Sequence, residues 1–173
     1  MKNSILFSLA LILFACQSKT EKPLPVVNHL EINKYLGTWY EIARKPNFFE
    51  TGLSCITANY SLKEDGNIQV TNKGHNGSKF KIASGTAKIS DPNVSAKLKV
   101  SFFGPFYADY QVIELDSNYQ FAMVGEPGRE YLWILSRKPQ LPNETIQMLI
   151  KKAESLGYQT TDLIYPDNSC NFK

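Results

Sequence analysis

The side chains best suited to covalent or metal chemistry are few in this 173-residue chain: three cysteines and two histidines. The cysteines are Cys16, Cys55 and Cys170, and the histidines are His29 and His75. They are widely spaced, and the chain has no Cys-x-x-Cys and no Gly-x-Ser-x-Gly motif. A zinc cluster needs several such ligands together, and a serine hydrolase needs its nucleophile beside a histidine. The sequence therefore predicts no metal, no cofactor and no catalytic residues.

Cys16 stands at the end of an N-terminal apolar run. This run, residues 5–15, is too short to span a bilayer and has the length of the core of a secretion signal. Its end, Leu13-Phe14-Ala15-Cys16, resembles the bacterial lipobox, which implies cleavage before the cysteine and acylation of its thiol. We therefore expect a signal peptide at 1–15 and a lipidated tether at 16–29. The alternative is an ordinary signal followed by an unmodified cysteine.

The same resemblance indicates a cellular location. Gln17 follows the cysteine, and in sorted lipoproteins a residue other than Asp at this position favours the outer membrane. The expected location is a lipid anchor in the outer membrane, with residues 30–173 facing the periplasm. That compartment is oxidising. Cys55 and Cys170 then form an even pair, which is either a disulfide or two separate thiols.

Composition and charge narrow the class of protein. Hydrophobic residues make up 43% of the chain and charged residues 20%, which is enough apolar material for one core. The net charge is only +3, whereas nucleic-acid-binding domains are usually strongly basic. We expect a single folded domain that does not bind nucleic acid.

Short runs rich in β-branched and aromatic residues alternate with turn residues from Gly37 to Arg137. Leu98, Val100 and Phe102, for example, alternate with polar neighbours, which is typical of a strand with one wet face. Eight such runs with short connections suggest an antiparallel sandwich or an up-and-down barrel. The predicted strands are 38–46, 54–63, 67–73, 79–89, 95–102, 108–115, 119–124 and 130–137.

The last part of the chain predicts one amphipathic helix at 143–156. Asn143 is a favourable N-cap and Gly157 a favourable residue after the C-terminus. The runs 121–124 and 131–135 are apolar on both faces, so their outer side must be covered. The helix can cover it with a stripe of apolar residues: Ile146, Leu149, Ile150, Ala153 and Leu156.

Two motifs about 100 residues apart carry a family resemblance. Gly37-Thr38-Trp39 resembles the Gly-x-Trp core of the first lipocalin signature, and Arg137 matches the closing arginine of that family. The stretches 99–107 and 131–137 are similar to bacterial outer-membrane lipoproteins of the family and to the related apolipoprotein D. The resemblance implies an all-β, eight-stranded antiparallel up-and-down barrel with one C-terminal helix packed outside.

The resemblance also assigns structural roles. In lipocalins the tryptophan plugs one end of the barrel and the arginine stacks on it, so Gly37, Trp39 and Arg137 are expected to be structural. The segment 55–62 is similar to a segment of apolipoprotein D whose cysteine pairs with one near the C-terminus. This similarity implies a disulfide between Cys55 and Cys170.

Once Trp39 and Arg137 are taken to face the barrel interior, alternation predicts other inward residues. Along the first strand it predicts Glu41 and Ala43, and along the last strand it leaves Leu132 and Ile134 outside, under the helix. No inward lysine or arginine other than Arg137 is expected. For most other strands the inward set comes from the resemblance. The expected ligand-binding cavity comprises Glu41, Ala58, Tyr60, Val70, Asn72, Val100, Phe102, Tyr110, Val112, Met123, Tyr131 and Trp133. The alternative is that these residues fill a solid core.

An apolar cavity with few polar groups suits an acyl chain with a modest head group. The resemblance implies a fatty acid or a lysophospholipid. The leading hypothesis is therefore a carrier of small amphipathic lipids, and the alternatives are a scaffold for an envelope protein or a lipid-modifying enzyme. Aromatic residues at 48–49 and 103–107 are expected at the open mouth. Three roles are open for them there: contact with a membrane, contact with a second copy in a homodimer, or packing on each other.

Overall fold

The computed structural model describes residues 23–170, so Cys16 and the predicted signal peptide lie outside the described residues. Eight strands and two helices follow one another along the chain. The strands are β1 (Gly37–Arg44), β2 (Ser54–Leu62), β3 (Ile68–His75), β4 (Phe80–Ile89), β5 (Lys97–Phe103), β6 (Phe106–Leu115), β7 (Phe121–Gly125) and β8 (Leu132–Ser136). The helices are α1 (Ile32–Tyr35) and α2 (Asn143–Ser155).

The strands form one closed antiparallel barrel in chain order. Each strand pairs with the next, and β1 closes the sheet by pairing with β8. The barrel was one of two architectures that the strand spacing allowed, and closure removes the unpaired edges that a sandwich would leave. The predicted eight-stranded up-and-down barrel is confirmed.

Two separate apolar clusters hold the molecule together. One fills the lower part of the barrel interior around Trp39. The other lies between the outer surface of the barrel and α2, whose Leu149 and Ala153 are fully buried against Ile134 and its neighbours. The helix thus covers the outer face of the doubly apolar strands, as the amphipathic pattern predicted.

The start of α2 differs from the prediction. Asn143 is the first helical residue rather than the N-cap, and the capping position is occupied by Pro142 without a side-chain hydrogen bond. The C-terminal end agrees with expectation. Gly157 has φ +90°, a left-handed conformation that glycine adopts without strain, and its N–H donates to the Glu154 carbonyl.

Both ends of the described chain lie against the barrel. Leu24 is buried in the outer cluster, and the Val27 N–H donates to the Val112 carbonyl, although these residues belong to the segment expected as a tether. At the other end, Cys170 is bonded to Cys55 across 115 positions of sequence. Within residues 23–170, no helix has the length and apolar character needed to cross a membrane.

Candidate ligand-binding cup

The closed end of the barrel is built on Trp39, which is fully buried. Its indole N–H donates to the Tyr35 carbonyl at 2.8 Å, and the Arg137 guanidinium lies 3.9 Å from the centre of its ring. Arg137 also donates to backbone carbonyls of Leu36 and its neighbours. Gly37 has φ +89°, and a Cβ there would sit 3.4 Å from the guanidinium, so glycine suits both the conformation and the close approach.

Three tyrosine hydroxyls form a chain above this plug. The Tyr110 hydroxyl lies 2.7 Å from that of Tyr35 and 2.9 Å from that of Tyr60. Burial raises the pKa of Tyr60 to about 12 and the pKa of Tyr35 and Tyr110 well above the ordinary value, so all three stay neutral. Because the hydroxyls already bond to each other, the floor of the barrel is largely satisfied without a ligand.

The inward side chains become more exposed from this floor to the opposite end. Directly paired residues in an antiparallel sheet point to the same face, so the row Trp39, Ala58, Asn72 and Ala83 is inward. Trp39 is buried, Ala58 and Asn72 are half-buried, and Ala83 is exposed. A second row changes in the same way: Ile68, Ala87, Val100 and Ala108. An inward residue is exposed only where the interior opens to solvent, so the barrel is a cup.

All but one of the predicted cavity residues face this interior, by packing or by strand register: Glu41, Ala58, Tyr60, Val70, Asn72, Val100, Phe102, Tyr110, Val112, Tyr131 and Trp133. Not every small residue leaves room for a ligand. At Gly85 a Cβ would lie 2.9 Å from the Phe102 ring, so that ring occupies the space beside the glycine. The contact of these residues with a ligand stays a prediction.

The placement of Met123 in the cavity was wrong. Met123 pairs with Ile134 and packs in the outer cluster, whereas Val124 packs inside. Ala43 was likewise expected inside and lies in the outer cluster. The inward placement of Met123 came from the family resemblance, whereas Ala43 was placed by alternation, which a β-bulge between Glu41 and Ala43 interrupts.

The bulge in β1 places Arg44 inside the cup. Glu41 pairs with Leu135 and Arg44 pairs with Trp133, and both partners belong to the interior, so both charged side chains face inward. The expectation of no inward lysine or arginine besides Arg137 was therefore wrong. Strict alternation cannot place two inward residues three positions apart, and the sequence offers no sign of the extra residue.

Arg44 holds two carboxylates in this interior. Its Nη1 donates to Glu41 Oε1 at 2.7 Å, and its Nη2 donates to the Glu50 backbone carbonyl at 2.9 Å. Trp133 Nε1 donates to Glu50 Oε2 at 3.1 Å, and the Arg44 Nε lies 3.6 Å from the same oxygen. Glu41 and Arg44 are each 2% exposed and Glu50 is 7% exposed. Sequence reasoning missed both Arg44 and Glu50.

Burial of this cluster changes its protonation. Loss of solvation and, after it, the nearby charge of Glu50 raise the pKa of Glu41 from an ordinary 4.5 to about 8, against the opposing effect of Arg44. At neutral pH Glu41 is therefore mostly protonated, and Arg44 is balanced by Glu50. The Glu50 charge also contributes, after burial, to the raised pKa of Tyr60.

The loop between β1 and β2 covers one side of the mouth. Asn47 shapes it, since its Oδ1 accepts from the Glu50 N–H and its Nδ2 donates to the Glu50 carboxylate. Phe49 stacks on Tyr131 with ring centres 6.0 Å apart, and Tyr131 stacks on Trp133 at 5.9 Å. The loop and the mouth of the cup are thus joined by aromatic contacts as well as by the charged cluster.

Several side chains at the mouth of the cup are exposed to solvent. Phe48 is 85% exposed, Phe103 82% and Phe106 78%, and Ile82 on β4 is also exposed. We call Phe48, Phe103 and Phe106 the aromatic rim. The Phe103 and Phe106 positions pair with each other across the turn, but their rings do not bury each other.

Comparison with known proteins decides the family. Residues 30–168 match the family described as a lipocalin-like domain. The chain is a lipocalin. Among its relatives, the outer membrane lipoprotein Blc of Escherichia coli K12 is 44% identical over 159 residues, which cover 90% of each chain. Rat apolipoprotein D is 41% identical over 138 residues, which cover 72% of this lipocalin and 70% of that protein.

Solved structures agree with the fold. Insecticyanin from the tobacco hornworm Manduca sexta superposes on this lipocalin with a TM-score of 0.69 at 21% identity, covering 84% of this chain and 85% of that one. Lobster apocrustacyanin A1 gives a TM-score of 0.65 at 17% identity. At such low identity these likenesses show the shared barrel alone.

The residues first considered for covalent chemistry have other roles in this lipocalin. Cys55 is bonded to Cys170, as the resemblance implied, so its thiol is not a free nucleophile. His75 packs against Phe80 and accepts a hydrogen bond from the Gly77 N–H within its turn. In the part of the chain from 23 to 170, no group of three or more His, Cys, Asp or Glu is arranged to hold a metal ion.

Proposed function

We propose that this lipocalin binds a single-chain amphipathic lipid, a fatty acid or a lysophospholipid, in its cup. The observation that carries the proposal is the graded exposure of the inward rows, from buried at Trp39 to exposed at Ala83. The exposure of inward residues at that end supports a cup that is open there. Its walls are mostly apolar, which suits an acyl chain.

Affinity would come mainly from burial of the chain. At about 25 cal/mol per Å², covering 300 Å² of acyl surface contributes roughly 7 kcal/mol before the cost of ordering the lipid. A dissociation constant near micromolar is therefore reasonable for a single chain. Two-chain phospholipids would need about twice the interior width, which an eight-stranded barrel does not offer.

We further propose that an acyl anchor on Cys16 holds the protein in the outer membrane, with the cup in the periplasm. The relatives named outer membrane lipoprotein support this location. Only six residues separate Cys16 from Pro23, so a fully extended connection reaches at most about 25 Å. The barrel must then stay close to the membrane surface.

The aromatic rim fits this arrangement. Exposed phenylalanines favour the boundary between lipid head groups and acyl chains, and a mouth at that boundary would receive lipid without passage through water. Contact of the rim with a second copy, giving a homodimer, is the competing arrangement. Substitution of Phe103 and Phe106 separates the two arrangements: weaker vesicle binding would favour the membrane, and conversion of a dimer to a monomer would favour a second copy.

Lipid extraction and a pair of matched variants test the binding proposal. Mass spectrometry of lipid extracted from the purified protein should find a single-chain amphiphile. Ala58→Trp fills the cup from β2 and should weaken fatty-acid binding at least about tenfold, whereas Ser61→Trp, on the exposed outer face of the same strand, should not. Bound lipid absent and Ala58→Trp without effect would favour the scaffold hypothesis instead.

A further inference from the structure

Arg44 is the buried cation of the cup. Of the lysines and arginines between residues 23 and 170, it is the one that is buried, and its row in the sheet runs through Trp133 and Val124 into the interior. A buried guanidinium is costly without an anion, and its flat fork of donors matches a carboxylate or phosphate. The position lies beside the half-exposed Trp133, between the apolar wall and the mouth.

Glu50 does not satisfy all the hydrogen-bond donors of Arg44. Glu50 Oε2 lies 3.6 Å from the Arg44 Nε, which is too far for a hydrogen bond, and this Nε has no hydrogen-bond partner although it is buried. Glu41 engages only Nη1. Arg44 therefore retains a donor on the side where Glu50 approaches it.

Glu50 lies in a loop that is partly exposed to solvent. It belongs to the loop between β1 and β2, and its neighbours Phe48 and Phe49 are 85% and 50% exposed. Its carboxylate also accepts from Asn47 within the same loop. A shift of this loop would carry Glu50 toward water and would leave Glu41, on β1, beside Arg44.

The floor of the cup offers no comparable site for a charged head group. The hydroxyls of Tyr35, Tyr60 and Tyr110 bond to one another, and apolar residues such as Val70 and Leu98 lie beside them on the neighbouring strands. An acyl chain fits that region, so the head group must remain near the mouth. This orientation brings the head group to the level of Arg44.

We propose that Arg44 binds the anionic head group of the lipid, and that Glu50 is an internal anion which the head group displaces. The inference rests on the proposed lipid-binding function and adds a preference: an anionic carboxylate or phosphate group is bound more tightly than a neutral one on the same chain. The tail points toward Trp39, and the loop that carries Glu50 moves when lipid binds.

Titrations with three ligands of one chain length test this assignment. The tryptophan fluorescence of the Cys16→Ser protein is measured during titration with dodecanoate, dodecyl phosphate and dodecanol, each below its micellar concentration. The parent protein should bind the two anions about tenfold or more tightly than the alcohol. Comparison of the two anions shows whether carboxylate or phosphate fits better.

Two variants with matched controls decide the outcome. Arg44→Gln should remove the preference for anions and leave dodecanol affinity within about twofold, and Glu50→Gln should strengthen anion binding severalfold. Lys79→Gln and Glu130→Gln remove exposed charges near the mouth and should change neither ratio. If Arg44→Gln does not fold, the anion affinity of Glu50→Gln alone tests the assignment.

The possible failures are distinguishable. A parent protein that binds all three ligands with equal affinity, or an anion preference unchanged in Arg44→Gln or Glu50→Gln, overturns the head-group assignment alone. A parent protein that binds none of the three ligands overturns the proposed function itself, and the assignment falls with it.

Discussion

Burial of Glu41 has an energetic cost, because its side chain can ionise. Its carboxyl is removed from water in the barrel interior, and a second carboxylate, Glu50, shares the same arginine. Two negative charges beside one positive charge leave an excess of one, which protonation of Glu41 removes. Loss of solvation, together with this excess charge, explains why its pKa rises to about 8 even though its Oε1 lies 2.7 Å from Arg44.

The protonation of Glu41 predicts a pH-dependent stability. Between pH 4.5 and 8 the folded chain holds this proton and the unfolded chain does not, so the free energy of unfolding should fall as pH rises, by at most about 1.4 kcal/mol per pH unit, and level off above pH 8. Glu41→Gln mimics the protonated form and should flatten this slope. Thermal melts from pH 5 to 9 measure it.

A control variant separates this effect from general charge repulsion. Glu64→Gln removes an exposed carboxylate at the closed end and should keep the slope of the parent protein. If the free energy of unfolding had the same pH slope in the parent and in Glu41→Gln, Glu41 would be ionised in the folded protein, which would contradict the prediction.

Arg137 provides a second prediction at the scale of a residue. Its guanidinium stacks on Trp39 and donates to the carbonyls of Lys34, Leu36 and Thr38. A lysine keeps the charge but lacks the flat fork, so Arg137→Lys should lower the free energy of unfolding by about 1–3 kcal/mol. Urea unfolding measures the loss. Lys138→Arg, on the exposed neighbour, serves as the control and should have little effect.

At the scale of the element, regular strands were predictable and interrupted ones were not. Alternation placed Leu132 and Ile134 correctly outside, under α2, because β8 runs without a bulge. It failed at Arg44, where an extra residue in β1 itself reverses the face, whereas Met123 had been placed inside by the family resemblance. A bulge depends on the register in which two strands pair, and the sequence of one strand does not determine that register.

The outer helix stabilises the barrel without touching the cup. Leu149 is fully buried against the outer surface, so Leu149→Ala should lower the free energy of unfolding by about 2–5 kcal/mol. Fatty-acid affinity of the folded variant should stay within about twofold of the parent, because no cup residue loses a contact. Urea unfolding and fluorescence titration measure the two quantities, and Met148→Ala, at a half-exposed position, is the control.

A clear loss of affinity in Leu149→Ala, measured where the variant is fully folded, would mean that the helix shapes the cup through the wall. That result would contradict the separation of the two clusters. Unchanged stability would mean instead that the helix is not docked as described.

The disulfide ties the C-terminal segment to β2. Cys55 and Cys170 are 115 positions apart, and in the chain-entropy model a bridge closing so long a loop stabilises the fold by about 4–5 kcal/mol, an upper figure. Replacing both residues, Cys55→Ala and Cys170→Ala, should lower the melting temperature substantially. The same decrease should appear in the parent protein under a reducing agent, while the double variant should not respond to it.

The two ends of the whole molecule differ in surface chemistry. The closed-end turns are polar, with Asp65, Asp91 and Asp116 forming hydrogen bonds to nearby backbone N–H groups. The open end carries the aromatic rim, whose large apolar side chains are mostly exposed. Sequence alone suggested aromatic loops at the mouth, but only the folded barrel shows that Phe48, Phe103 and Phe106 stay largely exposed, although Phe48 contacts Phe49.

This asymmetry predicts a one-ended contact with membranes. Phe103→Ser together with Phe106→Ser should weaken binding of the Cys16→Ser protein to phosphatidylethanolamine–phosphatidylglycerol vesicles by about tenfold or more, because each buried phenylalanine contributes about 1.5–3 kcal/mol. Leu62→Ser removes a side chain of comparable exposure, 55%, at the closed end and should not weaken it. Vesicle co-sedimentation measures both. If the rim variants instead convert a dimer to a monomer without vesicles present, the rim joins two copies rather than facing lipid.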